Sequence, residues 1–167
     1  MAARHNEAGV VGTASAGGIP STLAIRGHPV HPMLVSYPIA FLSATLLTDI
    51  ISYARDSFFW ASCSYWLLIG GTTMGLLAAA AGITDFFGDR RISRLPIAKA
   101  HFIGNAIVLC LALVNLAIRM NGSASAGVPL GWLGLSALVV LLIAGTGWLG
   151  GEMVYRHRIA VTPARNT

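Results

Sequence analysis

The sequence predicts an all-α integral membrane protein, an antiparallel four-helix transmembrane bundle with both termini on one side. Three observations carry this reading. Only 10% of the 167 residues are charged and 55% are hydrophobic, where a soluble domain carries about 25% charge. Mean hydropathy is +0.70. The apolar residues fall into long blocks with short connections, and Lys and Arg are distributed unevenly between alternate connections.

The blocks predict helices over about 32–53, 58–87, 98–120 and 130–155. Each is near or above the roughly 20 residues needed to cross the hydrocarbon core. In lipid the backbone must satisfy its own hydrogen bonds, so the blocks are helices, and they lack the alternation of barrel strands. Short connections make consecutive helices antiparallel neighbours. Pro32, Pro96 and Pro129 lie at or just before helix starts, where a missing N–H costs little. Residues 1–26 read as a flexible tail without the apolar core of a secretory signal. Residues 27–161 form the membrane domain and 162–167 a C-terminal tail.

Orientation follows from the basic residues. The side of the N-terminus holds Arg26, Arg90, Arg91, Arg94, Lys99, Arg156 and Arg158 near the spans. The opposite side holds Arg55 and Arg119. The positive-inside rule places the first side in the cytoplasm. This distribution also explains the net charge of +5 without nucleic acid, because no basic face interleaved with aromatics exists. Cys63 and Cys110 lie in apolar blocks, lack the C-x-x-C spacing of a covalently attached haem, and read as structural thiols.

Small residues at four-residue spacing let membrane helices approach closely. Gly71 and Gly75 in the second block, and Gly147 and Gly151 in the fourth, supply such faces. They serve either packing within the bundle or a homo-oligomer.

The polar residues inside or beside the spans carry any chemistry. His28 and His31 open the first helix, His101 opens the third and His157 follows the fourth. The topology gathers all of them at the cytoplasmic face, with Asp85 at the near end of the second helix. Neutral imidazole binds haem iron and transition metals, and helix bundles hold such groups between facing histidines. The first and third helices are diagonal in an up-down bundle, so His31 and His101 face each other. His28 and His157 are further candidate ligands. Asp85 or Asn105 would orient a ring N–H from behind, and Arg90, Arg91 and Arg94 border the same face, suited to haem propionates. A bland alternative is that the histidines meet only lipid headgroups.

A second feature is a polar stripe on two helices. His101, Asn105, Val108, Ala112 and Asn115 share one face, and His31, Val35, Pro38, Leu42, Thr45 and Asp49 follow the same offsets. A carboxylate at the depth of Asp49 must face the interior and find a partner. The expected arrangement is an intramembrane lock of Asp49 with Asn115 or a hydroxyl of the second helix, rather than a proton relay, since no titratable chain leads to the cytoplasmic face. An Asp49→Asn change would spare a lock and stop a relay. Glu152 pairs with Arg156 one turn on. No phosphate loop appears, and the Ser and Thr residues lack a His/Asp partner pattern for hydrolysis.

Several motifs together resemble a known family. They are Gly27-His28-Pro29-Val30-His31-Pro32, Gly82-Ile83-Thr84-Asp85-Phe86, Ala100-His101-Phe102-Ile103-Gly104-Asn105, and the closing run from Gly147 to His157. The chain over 27–161 resembles the bacterial predicted membrane protein family called domain of unknown function 2231. The resemblance implies a four-span fold in a bacterial inner membrane, with His28, His31, Asp49, Asp85, His101, Asn105 and His157 at the motif positions. Some members look to be joined to Rieske-type or cytochrome-type domains, which implies redox work and a redox partner protein. Glu152 and Arg158 depart from the family pattern. The expectation is a membrane protein that holds haem b, or a transition metal ion, for electron transfer. The alternatives are a structural subunit or small permease without a cofactor, and a metal-dependent membrane enzyme.

Overall fold

The computed structural model describes residues 18–122 and 127–161. The remaining parts of the two tails, 1–17 and 162–167, and loop residues 123–126 lie outside the described residues.

Four helices are long and apolar enough to cross a membrane: α1 (Val30–Arg55), α2 (Phe58–Gly88), α4 (Pro96–Asn121) and α5 (Leu130–Tyr155). Their bounds match the four apolar blocks to within two residues at each end. The α1–α2 turn is tight because Asp56 takes a left-handed conformation, φ 47, and its N–H closes on the Ser52 carbonyl. Pro96 begins α4 at a position where its missing N–H costs nothing. Pro38 sits inside α1, where it removes one backbone donor. Membrane helices tolerate this where neighbouring helices pack on them.

A short helix that the sequence reading took for loop, α3 (Arg90–Arg94), joins α2 to α4. Asp89 caps it, its carboxylate accepting from the Arg91 backbone N–H at 2.7 Å. Arg91 also reaches the Asp89 carboxylate with its guanidinium at 2.7 Å, which holds that carboxyl below the usual carboxylate range.

The helices pack in a ring. α1 lies against α2 and α5, α4 lies against α5 and α2, and α1 and α4 are diagonal. The middle of the bundle is apolar: Leu42, Leu68, Val108, Ala112, Val139 and Ile143 form one buried cluster. Gly71 and Gly75 work inside this ring. A Cβ at Gly71 would lie 2.8 Å from Leu42, and one at Gly75 would lie 3.3 Å from Leu109. These two glycines are therefore not a surface between copies. Gly147 and Gly151 have open space beside them.

Part of the expected tail, residues 18–26, is placed against the bundle. Residues 18–29 form a strap across one end of the bundle. Ile19 donates its N–H to the Arg158 carbonyl at 3.0 Å and accepts from the Ala160 N–H at 2.8 Å. This places both ends of the membrane domain on the same face. β1 (Ala24–Ile25) and β2 (His28–Pro29) then form a hairpin whose turn residues Arg26 and Gly27 have φ 51 and 81. Positive φ at both positions suits a two-residue hairpin. Beneath the strap, Ile92, Ala98 and Ile159 are buried against Ile19, Phe86, Leu95 and Met153.

Candidate functional site

Two polar layers lie at opposite ends of the apolar core. His31 and His101 form the first, near the strap. Their ring centres are 6.3 Å apart and their planes are perpendicular. Each ring is seated against the neighbouring helix in the same way. His31 Nδ1 lies 2.8 Å from the Ala78 carbonyl of α2, and His101 Nδ1 lies 2.9 Å from the Thr146 carbonyl of α5. A carbonyl can only accept, so both Nδ1 atoms carry a proton, and in the neutral ring the lone pair is on Nε2. One turn beyond each acceptor is a glycine. A Cβ at Gly82 would lie 3.0 Å from the His31 ring, and one at Gly150 would lie 3.1 Å from the His101 ring.

This tautomer is the one that metal-bound histidines adopt, with the far nitrogen fixed by a hydrogen bond. Two imidazoles that share one metal, each nitrogen about 2.0–2.1 Å from it, have ring centres up to roughly 6 Å apart. The His31–His101 separation of 6.3 Å lies at the outer limit of that range, so the pair would share one metal only with both Nε2 atoms turned toward it.

The other expected members of the site are placed elsewhere. His28 is exposed and its Nδ1 lies 3.2 Å from the Arg26 carbonyl. His157 is exposed beyond the end of α5. Among the described residues, no three His, Cys, Asp or Glu side chains come together as a metal group. Asp85 does not stand behind a histidine. It anchors the strap, accepting from Ser21 Oγ at 2.7 Å and from the Leu23 N–H at 3.0 Å. Asn105 is beside His101 but on the other ring nitrogen, with Nδ2 3.2 Å from Nε2 and 2.8 Å from the His101 carbonyl. The orienting groups are instead the Ala78 and Thr146 carbonyls. Backbone acceptors leave no mark in composition; the glycines one turn later were the available signal.

The second layer is a buried ion pair. Arg119, which the sequence placed among the interfacial charges, is 5% exposed and Asp49 is 0% exposed. Arg119 Nη2 donates to Asp49 Oδ2 at 2.6 Å and Nη1 to Oδ1 at 3.0 Å, a bidentate fork. Ser64 of α2 donates to the same carboxylate, as does Ser136 of α5 at 2.6 Å. Arg119 Nε donates to Asn115 Oδ1 at 2.9 Å, and Asn115 Nδ2 to Ser136 at 3.0 Å. Asn115 thus reaches Asp49 through Arg119 and Ser136, while the α2 hydroxyl touches it directly. Among the described residues no buried side-chain polar atom lacks a partner.

Moving Arg119 inside sharpens the topology. On the far side only Arg55 remains as an interfacial cation near the spans, so the charge bias is stronger than the sequence count. Trp132 lies over the guanidinium, 5.5 Å from its carbon to the ring centre. A cavity of about 220 Å³ beside it is lined by Phe58, Tyr65, Trp66, Arg119 and Trp132. All five Arg119 N–H groups are already spent on Asp49, Ser64, Asn115 and Ser136, so that cavity offers an anion no guanidinium donor.

About eighteen helical residues separate His31 from Asp49, roughly 27 Å along the axis. The apolar cluster lies between, and Thr45 and Thr72 within it bond back to their own helices at 2.9 and 2.7 Å. Among the described residues, no chain of titratable side chains joins the two layers.

Residues 27–163 match the model of a family described as predicted membrane protein (DUF2231). No curated protein and no solved structure matches the chain.

Proposed function

Because the chain belongs to the DUF2231 family of predicted membrane proteins, whose description assigns no activity, we propose its function from the histidine layer: it holds a redox metal between His31 and His101 and passes electrons at one membrane face. The observation that carries this reading is the paired tautomer. Two diagonal helices present imidazoles 6.3 Å apart, each with Nδ1–H fixed on a backbone carbonyl and Nε2 left as a donor atom. Haem b is the first candidate, since bundles hold it between two histidines; a bare transition metal ion is the second. When bound, the group supplies a one-electron couple. The protein's part is to fix both rings by their Nδ1–H bonds to the Ala78 and Thr146 carbonyls, each beside a glycine. Asn105 must yield its contact with His101 Nε2 when that nitrogen takes a metal.

The basic residues of the strap end support an orientation with this face in the cytoplasm of a bacterial inner membrane. The Asp49–Arg119 layer supports a lock rather than a relay or permeation path, because its donors and acceptors are mutually satisfied and the apolar core seals it from the histidines. A redox partner would dock at the strap face. A homo-oligomer would use the open Gly147 and Gly151 face of α5.

The test is the absorption spectrum and metal content of protein purified from haem-replete cells. The expected result is a Soret band or a stoichiometric metal, lost in His31→Ala and His101→Ala and kept in His28→Ala and His157→Ala. A colourless, metal-free wild type refutes the proposal.

A further inference from the structure

We infer that the bundle is two equivalent helix hairpins, α1–α2 and α4–α5, related by a pseudo-two-fold axis along the bundle, and that this axis passes through both polar layers. On this reading Gly82 and Gly150 are paired positioning residues of one imidazole seat built twice, and Asp49 and Arg119 determine which hairpin pairs with which.

The register is constant. Residue n of α1 corresponds to n+70 of α4: His31 to His101, Leu42 to Ala112, Thr45 to Asn115, Asp49 to Arg119. Every one of these from Leu42 and Ala112 onward is buried. Residue n of α2 corresponds to n+68 of α5: Leu68 to Ser136, Gly71 to Val139, Ala78 to Thr146, Gly82 to Gly150. The contacts obey the same operation. α1 touches α2 and α5 as α4 touches α5 and α2, the α1–α2 hairpin being the more extensively packed of the two. His31 binds the Ala78 carbonyl beside Gly82 as His101 binds the Thr146 carbonyl beside Gly150. Ser64 donates to Asp49, and its counterpart Trp132 lies over Arg119. Side-chain volume is exchanged across the axis: Leu42 fills the space at Gly71, whereas small Ala112 corresponds to Leu42 and larger Val139 to Gly71. Sequence identity across this register is slight, which is why the repeat is visible in packing and hydrogen bonds rather than in letters.

The two ends of the axis differ in kind. Identical residues can meet on a two-fold axis when they are neutral imidazoles. A residue facing its own copy cannot be a buried aspartate or arginine without leaving like charges desolvated. Pairing α1–α2 with another α1–α2 would bury two Asp49 carboxylates, and pairing two α4–α5 hairpins would bury two Arg119. The ion pair therefore commits each hairpin to the other kind, by repulsion against the wrong pairing as much as attraction in the right one. At the histidine end, a ligand on the axis meets one imidazole from each side; the seats match, but Asn105 lies on His101 Nε2 where its α1 counterpart is Val35. Its class, a transition metal ion or haem, rests on the redox reading above; the symmetry does not.

The experiment is ¹⁵N NMR of the histidine rings in lipid nanodiscs, without added metal. Wild type is expected to show His31 and His101 both as the Nδ1–H tautomer. Gly82→Ala should shift the His31 ring nitrogens and spare His101. Gly150→Ala should shift His101 and spare His31, and Gly147→Ala should move neither. Different tautomers in wild type, or equal effects of Gly82→Ala and Gly147→Ala, overturn the inference. Wild type alone decides the tautomers even where a variant fails to fold. In a second arm, the exchanged pair D49R/R119D should recover most of the monodisperse yield lost in either single change; no recovery overturns the pairing role. A metal-free wild type would remove the redox proposal and leave both arms intact.

Discussion

Arg119 decides how the chemistry of Asp49 is read. A guanidinium and a carboxylate withdrawn together are costly to desolvate, and the fork geometry with two serine hydroxyls offsets that cost. Removing one partner leaves the other buried and charged, which destabilises by about 3–5 kcal/mol. Arg119→Ala and Asp49→Ala should each lower the unfolding midpoint in detergent sharply. Asp49→Asn keeps the shape but leaves Arg119 without its counter-charge, so a lock that includes an ion pair suffers from it too. The neutral pair D49N/R119Q separates lock from relay better: stability should recover relative to Asp49→Asn. Thermal unfolding of the three proteins measures this. Asp49 needed a partner by the sequence argument, and its helix-two hydroxyl is Ser64. Arg119 was hidden because it stands two residues before its helix ends, where a long cation ordinarily snorkels to the interface.

Among the elements, the strap and α3 are where the sequence was least legible. Residues 18–26 mix Ile19, Leu23 and Ile25 with small and polar side chains in no periodic pattern, so they read as tail. Their order comes from partners distant in the chain, Asp85 and the backbone of Arg158 and Ala160. Asp85→Ala should free the strap and raise amide exchange at Leu23 while the four spans persist. The α3 cap has a pH dependence of known sign. Arg91 holds the Asp89 carboxyl below its ordinary range, so the cap's contribution is complete above the ordinary carboxylate range and is lost as pH falls through the depressed value. The Arg91 amide should stay protected at neutral pH and lose protection only in acid below that ordinary range; loss near neutrality would contradict the assignment. The four spans were legible because lipid solvation imposes length and apolarity together. α5 presents Gly147 and Gly151 to open space. Gly151→Leu should leave the monomer fold unchanged and shift any oligomer toward monomer in light scattering, whereas Gly71→Leu, set against Leu42, should disrupt the bundle.

For the whole molecule, sequence topology brought His31 and His101 to one face on diagonal helices, and the structure pairs them. It does not bring His28, His157 or Asp85 to that pair, because helix ends at one membrane face need not converge on the bundle axis. The seats that fix the rings are backbone carbonyls and glycines of neighbouring helices, which no side-chain chemistry announces. What results is a bundle with a two-histidine layer at one end, a compensated charge layer at the other and an apolar cluster between them. Permeation would ask for a polar path, which the apolar cluster between the two layers interrupts. The most direct measurement is the reduced-minus-oxidised absorption difference of the purified wild type, recorded with His31→Ala and His101→Ala. The account predicts a reversible difference spectrum in wild type that both variants lose while remaining folded. A wild type with no difference spectrum and no bound metal, or one whose spectrum both variants retain, would contradict it.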